Sequence, residues 1–176
     1  VNINNNKIYT ASNHGIYLYS YSSALNSAVH QYNVSNNELQ NIMDDAVMLR
    51  LHLMNDIEMN FVNNLMNNVG EDGLEIQGYG SIISGDLSGN IIDSVDSAVR
   101  LYAGDDGTSK TIFNDLLISE NEFNGTGFAA LDFNTSNSDY GSEIKVEVND
   151  NLIGDYINML IQEIGDNITV TGNQAP

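Results

Sequence analysis

The chain has 176 residues, with 24 acidic side chains against five lysines and arginines and a formal net charge of −19 at pH 7. Because contacts to phosphate need cations, this charge excludes nucleic acid as a partner and disfavours an anionic membrane surface. A hydrophobic content of 41% suffices for one folded core, no apolar run reaches the ~18 residues of a membrane span, and cysteine is absent.

One motif recurs from the first residues of the chain to the last. Its clearest copy places Tyr32 and Val34 on one side of a strand, followed by Asn37 and then Leu39. The asparagines of the successive copies are Asn6, Asn37, Asn64, Asn90, Asn121, Asn151 and Asn173. Self-similarity of this kind predicts a stack of coils in which each coil is one repeat.

Asparagine suits the turn that must follow each of these strands, because it tolerates unusual backbone angles and its amide can bond nearby backbone groups. In a stack, equivalent asparagines lie ~4.8 Å apart, the spacing between strands. Each amide can then donate to the next one. We therefore predict an internal ladder of the seven asparagines, since a buried amide is stable only when it is hydrogen-bonded.

A second motif follows the asparagine in five copies, as a small residue, an apolar residue, any residue and another apolar residue. The apolar pairs are Ile16 and Leu18, Val47 and Leu49, Leu74 and Ile76, Val99 and Leu101, and Leu131 and Phe133. Their period of two predicts a strand with these side chains facing inward. Each repeat thus carries at least two short strands, which can bury their apolar faces only against neighbouring repeats.

Leucine-rich repeats share part of this pattern, but they run ~20–29 residues, favour leucine and return by a helix or similar segment. Here three asparagine intervals are 30 or 31 residues long, and the return segment has a period of two. The chain instead resembles the right-handed parallel β-helix repeats of the pectate-lyase-like superfamily, of the NosD-like or PbH1 type, over nearly all of residues 1–176. The resemblance implies an all-β, single-stranded right-handed solenoid of six to seven coils, forming one domain that we expect to be part of a longer chain. It does not select a function, because that superfamily includes lyases, hydrolases, epimerases, phage tailspikes and adhesins.

The outward positions of the second strand form columns that continue from coil to coil. One column contains Tyr17, Met48, Glu75, Arg100 and Asp132, its neighbour contains Tyr19, Arg50, Gln77, Tyr102 and Asn134, and His52 and Tyr79 extend the same face. We call this surface the Tyr/Arg face. Tyrosine can stack on sugar rings, and arginine offers a fork of donors to carboxylates or sulfates, so the face predicts a track for an acidic or neutral polysaccharide. The alternative is a structural role, because tyrosine favours strands and a pair such as Glu75 with Arg100 stabilises a sheet.

Carboxylates recur just before the small residue of the second strand. They are Asp44, Asp45, Glu71, Asp72 and Asp96, in columns that also contain His14 and Ser97. Stacked carboxylates repel one another unless they splay into water or share a cation, and calcium takes oxygen ligands of this kind. These five residues are therefore a candidate calcium site, with Asp105 and Asp106 as a nearby alternative. The other interpretation is that aspartate is an ordinary turn residue repeated with each coil.

The leading functional hypothesis is an extracellular or cell-surface module that binds polysaccharide through the Tyr/Arg face. The first alternative is a polysaccharide lyase or epimerase, or a glycoside hydrolase, with Arg50, His52, Arg100 and Tyr102 as candidate catalytic residues near bound calcium. The second alternative is a structural or adhesive spacer. Because neither end carries a visible capping helix, the spacer would self-associate or continue into further chain through its ends.

Overall fold

The structure, a computed structural model, describes residues 1–26, 29–54, 56–94, 96–105, 107, 109–135, 141–162 and 167–175. These residues form an all-β parallel solenoid with three parallel sheets and about five turns. The predicted all-β parallel β-helix is confirmed, although the number of turns is slightly smaller than the six to seven predicted. The prediction assigned one coil to every asparagine, including the partial coil at Asn173. No helix among the described residues is long and apolar enough to cross a membrane.

Each full coil contributes one strand to each of the three sheets, and equivalent strands pair in parallel register. Sheet A contains β1 (Asn2–Asn4), β4 (His30–Ser35), β7 (Ile57–Val62), β10 (Ile82–Ser88), β13 (Ile112–Ser119), β16 (Glu143–Asn149) and β19 (Asn167–Thr171). Sheet B contains β2 (Lys7–Ala11), β5 (Glu38–Ile42), β8 (Leu65–Val69), β11 (Ile91–Ser94), β14 (Glu122–Phe123) and β17 (Leu152–Ile153). Sheet C contains β3 (Ile16–Asn26), β6 (Val47–Met54), β9 (Leu74–Tyr79), β12 (Ser97–Gly104), β15 (Ala129–Thr135) and β18 (Asn158–Gln162).

The seven asparagines form the predicted ladder at the turn between sheets A and B. At the central rung, both the backbone N–H and the Nδ2 of Asn64 donate to Asn90 Oδ1, at 2.9 and 3.0 Å, and Asn64 Nδ2 also donates to the Val34 carbonyl. The same pair of bonds to the next asparagine repeats at every step from Asn6 to Asn173. The ladder therefore satisfies the buried polar groups of the turn in every coil.

The residue before each ladder asparagine, rather than the asparagine itself, adopts the left-handed conformation. These residues are Asn5, Asn36, Asn63, Gly89, Glu120, Asp150 and Gly172, with φ between 53° and 68°. Asparagine, aspartate and glycine tolerate this region best, which explains their frequency at the position. The unusual backbone angles predicted at the ladder asparagine therefore lie one residue earlier, and the asparagine itself bonds the coils together.

The core fills the space between the three sheets. The predicted inward pairs of the second motif are at most 2% exposed on β6, β9, β12 and β15. Burying a side chain of this size contributes ~1.5–3 kcal/mol. Because side chains two apart share a face, burying these pairs fixes which residues of sheet C point outward to form the Tyr/Arg face.

Candidate functional site

The Tyr/Arg face lies on the outer side of sheet C, where the strand register aligns its columns as predicted. Across β3, β6, β9, β12 and β15, one column contains Tyr17, Met48, Glu75, Arg100 and Asp132, and the next contains Tyr19, Arg50, Gln77, Tyr102 and Asn134. A third column contains Tyr21, His52, Tyr79 and Gly104. The predicted polysaccharide-binding residues are therefore neighbours on the outer face of sheet C, where Asp132 is buried and the others are at least partly exposed.

Five of these side chains form a continuous aromatic row across four coils. His52 stacks on Tyr79 with ring centroids 4.4 Å apart, and Tyr79 lies 5.8 Å from Tyr102. Tyr19 and Tyr21 approach His52 from the other side, at 5.6 and 6.3 Å. The row runs along the solenoid axis, so its rings advance with the ~4.8 Å spacing of the strands. Tyr17 does not belong to the row.

Gly104 leaves room for the rings of Tyr79 and Tyr102 at the C-terminal end of the row. It occupies the position after Tyr79 in the third column, and a Cβ atom there would lie 2.8 Å from the rings of both Tyr79 and Tyr102. Real Cβ contacts are longer than this, so a larger residue would displace one of the two rings. The missing side chain thus lets the row turn from the third column to the second.

An open groove of about 380 Å³ borders the row on its C-terminal side. Its lining residues are Glu75, Gln77, Tyr79, Arg100, Tyr102, Asn134 and Thr135. The polar side chains along its walls are ordered by hydrogen bonds: the Tyr79 hydroxyl donates to Gln77 Oε1 at 3.1 Å, and Gln77 Nε2 donates to Glu75 Oε1 at 2.9 Å. The groove therefore combines two aromatic rings with fixed polar groups.

Arg100 is bound to carboxylates of its own chain. Its Nη1 donates to Asp72 Oδ2 at 3.0 Å, its Nε donates to Asp132 Oδ2 at 3.1 Å, and Asp96 Oδ2 lies 3.7 Å from Nη1. Although burial lowers the pKa of Arg100, the surrounding Asp72, Asp132, Glu75 and Asp96 raise it above the usual value. Arg100 is thus a paired, permanently charged group and unsuited to act as a base.

The other candidate catalytic residues lie beside the groove or in its wall. The Arg50 guanidinium carbon lies 5.4 Å from the centre of the Tyr79 ring. The Nε atom of Arg50 has no hydrogen-bond partner among the described residues. His52 is part of the aromatic row, and Tyr102 forms part of the groove wall. The structure therefore brings the four candidates onto one face, where they supply rings and charge.

The carboxylates predicted to stack do so at the turn that leads into sheet C. The Asp72 backbone N–H donates to Asp45 Oδ1 at 3.1 Å, and the Ser97 backbone N–H donates to Asp72 Oδ1 at 3.0 Å. Burial raises the pKa of Asp45 to about 7, although the Asp72 N–H opposes this shift. Burial likewise raises the pKa of Asp72 to about 6, against the lowering effect of Arg100. The column is thus a buried hydrogen-bonded ladder of acids.

These acids fit a calcium ion poorly. The structure groups Asp45 with Asp72 and Glu75, and separately groups His14 with Asp44 and Asp45, with donor atoms within 4.8 Å of one another in each group. Calcium takes ~6–8 oxygen ligands. In the first group both oxygens of Asp72 and one of Asp45 already accept hydrogen bonds, and the second group contains an imidazole, which is not a typical calcium ligand.

The remaining predicted calcium ligands lie outside these two groups. Glu71 and Asp96 follow Asp44 on the outer side of the same turn, and a hydrogen bond with Asp44 raises the pKa of Glu71. Asp105 caps a turn by accepting from the Gly107 N–H, and Asp106 lies outside the described residues. The five acids therefore do not converge on one point.

Arg100 connects the two sets of columns in a way that the sequence pattern does not predict. Asp132, on the outward face of β15, and Asp72, in the turn before β9, meet the same guanidinium. Their positions in the repeat frame differ, so no column contained both. Comparison of the chain with protein-family models, with curated proteins and with solved structures found no match.

Proposed function

We propose that this chain is an extracellular or cell-surface module, of the pectate-lyase-like right-handed β-helix type, that binds polysaccharide along the Tyr/Arg face. The aromatic row is the observation that carries the proposal. Five rings on four successive coils follow the solenoid axis, and a groove with ordered polar side chains lies beside them. Sugar rings present C–H faces that stack on aromatic rings and hydroxyl groups that bond to polar side chains, so a glycan chain suits this geometry.

The row is well suited to stacking because most of it is reachable from solvent. Tyr19 and Tyr21 are 55% and 62% exposed, while Tyr79 and Tyr102 are half-buried and held in place by their neighbours. Rigid, partly exposed tyrosines lose little conformational entropy when a ligand covers them. The exposed end of the row would then admit the glycan, and the half-buried end would fix its position.

A lyase or epimerase of acidic polysaccharides is the first alternative, and the pairing of Arg100 argues against it. Such a reaction needs a base that removes a proton from the sugar ring, together with positive charge that stabilises the uronate. Arg100 is committed to Asp72 and Asp132. The alternative predicts an increase in absorbance from unsaturated product when acidic polysaccharides and calcium are added. Binding without such an increase would favour the module.

The decisive experiment measures binding to a panel of soluble polysaccharides by affinity electrophoresis. Tyr79→Ala should weaken binding at least tenfold, about 1.4 kcal/mol, because it removes the centre of the row. Tyr19→Ala should weaken binding less. Tyr9→Ala is the matched control, because Tyr9 lies on sheet B with an exposed fraction of 52%, close to the 55% of Tyr19. Equal behaviour of the Tyr79 and Tyr9 variants would contradict the proposal.

A structural or adhesive spacer is the second alternative. It predicts self-association, which sedimentation at several protein concentrations would detect, and it predicts no retardation by any polysaccharide. A concentration-independent monomer that binds a glycan would favour the module instead. The two measurements together separate the spacer from the module, because each function predicts the opposite result in both.

A further inference from the structure

The charge of the groove indicates which class of glycan it would take. Glu75 and Arg100 are the charged residues in the described lining of the groove. Asp72, Asp132 and Asp96 lie against the Arg100 guanidinium, at 3.0, 3.1 and 3.7 Å. One cation thus stands among four carboxylates, and this part of the face carries net negative charge. Buried Asp72 keeps its carboxylate ionised at neutral pH, because its pKa is about 6.

Hydrogen bonds within the groove already use one N–H of Gln77, one N–H of Asn134 and the Tyr79 hydroxyl. Gln77 Nε2 donates to Glu75 Oε1, the Tyr79 hydroxyl donates to Gln77 Oε1, and Asn134 Nδ2 donates to Asp132 Oδ1 at 2.7 Å. The second carboxylate oxygen of Glu75 accepts no hydrogen bond from a described side chain. A ligand entering the groove therefore meets carboxylate oxygens beside the remaining amide N–H groups, and the carboxylates select donors and cations.

The aromatic rings favour cations as well. The Arg50 guanidinium carbon already lies 5.4 Å from the centre of the Tyr79 ring, which is the distance range of a cation–π contact. Arg50 does not belong to the groove lining, and it lies on the N-terminal side of Gln77 in the same column. The rings of Tyr79 and Tyr102 that border the groove offer the same attraction to a cation supplied by a ligand.

An acidic glycan fits this groove badly. A uronate or sulfate entering beside Glu75 would meet carboxylates on both sides, and the guanidinium that could bind it is already held by Asp72 and Asp132. Releasing Arg100 would leave those two buried aspartates without their cation, which is unfavourable. Of the acidic and neutral polysaccharides that the sequence predicts as ligands, the acidic ones are therefore the less suitable.

We infer that the ligand of this face is a polysaccharide with free amino groups, such as a polymer of glucosamine, whose rings stack on the tyrosines while its ammonium groups bind at Glu75. This inference rests on the proposed function and specifies its substrate class. The acidic side chains alone would not define a binding site. The aromatic row supplies the surface on which a sugar polymer can stack, and the carboxylates favour a polymer with positive charge.

Isothermal titration calorimetry with three sugar hexamers and one polyamine tests the inference, at a single pH above the Asp72 pKa of about 6 and below the pKa of the sugar amine. The ligands are the glucosamine hexamer, the N-acetylglucosamine hexamer, the glucose hexamer and spermine as a cation without sugar rings. The glucosamine hexamer should bind at least tenfold more tightly than either neutral hexamer, and added salt should weaken it. Because all four are measured at one pH, the protonation of Asp45 and Asp72 is common to them.

Two variants locate the effect. Glu75→Gln should weaken binding of the glucosamine hexamer about three- to fivefold and change binding of the neutral hexamers less. Glu122→Gln is the matched control: Glu122 lies on sheet B, accepts from the side chain two residues later as Glu75 does, and its replacement changes the net charge equally. Arg50→Gln should strengthen binding of the amino sugar, whereas an acidic ligand would be bound more weakly.

Each remaining outcome overturns a defined part of the argument. If the neutral hexamers bind as tightly as the glucosamine hexamer, the inference fails and polysaccharide binding stands. If no sugar binds, the proposed function fails together with the inference. If spermine binds as tightly as the glucosamine hexamer and Tyr79→Ala does not weaken either ligand, the attraction is a general effect of the net charge and the inference fails.

Discussion

Replacing the buried Asn90 by alanine should lower the free energy of unfolding more than replacing any exposed asparagine. Asn90 is 1% exposed, and its Oδ1 accepts from both the backbone N–H and the Nδ2 of Asn64. Its own Nδ2 donates to the Phe61 carbonyl and to Asn121 Oδ1, at 2.8 and 2.9 Å. Alanine removes all four bonds and supplies no polar group in their place.

The size of the effect follows from the donors left unpaired. Two buried donors of Asn64 lose their acceptor, and each such loss costs ~1–3 kcal/mol. Because the two donors share one site and the coil can relax, we expect a loss of about 3–4 kcal/mol in the free energy of unfolding. This is a large fraction of the ~5–15 kcal/mol of a typical domain.

Urea unfolding followed by far-ultraviolet circular dichroism measures this change. The control is Asn33→Ala, because Asn33 also belongs to a chain of asparagines, donating to Asn2 Oδ1 and accepting from Asn60 Nδ2, but on the solvated face of sheet A. Water can replace its partners, so its loss should stay below ~1 kcal/mol. Equal midpoints for the Asn90 and Asn33 variants would refute the reasoning that the internal ladder stabilises the coils.

Three further changes test other parts of the structure. Gly85→Ala should lower the thermal midpoint strongly, because Gly85 has φ +137° and a Cβ atom would overlap a backbone carbonyl of β7; an unchanged midpoint would contradict the register of β10. Asp45→Asn should stabilise the protein by about 1–2 kcal/mol at pH 8 and by nothing at pH 4. Burial raises the pKa of Asp45 from 3.8 to about 7, so, as far as this residue is concerned, the wild type is most stable below pH 3.8 and loses stability as the pH rises to 7. An equal gain at both pH values would show that the charge of Asp45 is not the cause. Arg100→Met should destabilise the protein by roughly 2–3 kcal/mol, because the variant leaves Asp72 and Asp132 without a cation. The loss is smaller than for a fully buried pair, since the Arg100 side chain is 34% exposed. A stabilised variant would show that the network is dispensable.

The sequence predicts most of this fold because every coil of a solenoid repeats the same short strands and turns. The period-two pairs and the spaced asparagines identify which residues share a column, and a parallel register then aligns them without knowledge of distant contacts. Arg50 and Gln77, for example, are neighbours because each lies three residues after the first inward residue of its strand. The columns of the Tyr/Arg face could therefore be written down from the sequence.

The sequence does not predict what long side chains do once they are aligned. Arg100 lies opposite Glu75 in the sheet, but its guanidinium reaches instead to Asp72 and Asp132. That choice depends on burial, since the two aspartates are 1% and 4% exposed and need a cation more than Glu75 does. The charge available to a ligand is consequently the reverse of what the arginines alone suggested.

The sequence motifs also do not predict the third strand of each coil, which belongs to sheet B. The short strands of sheet B begin directly after the ladder asparagine and contain as few as two residues, as in β14 and β17. With a single inward residue such as Phe123, a strand of this length shows no periodicity. Its position is determined by the turn before it and by the parallel neighbours in the stack.

A crystal structure of the chain grown with the glucosamine hexamer would show where this polymer binds. Its sugar rings should stack on Tyr79 and Tyr102, with an amino group within hydrogen-bond distance of the Glu75 carboxylate. A hexamer bound on sheet A or sheet B, or one whose rings avoid the aromatic row, would contradict this inference.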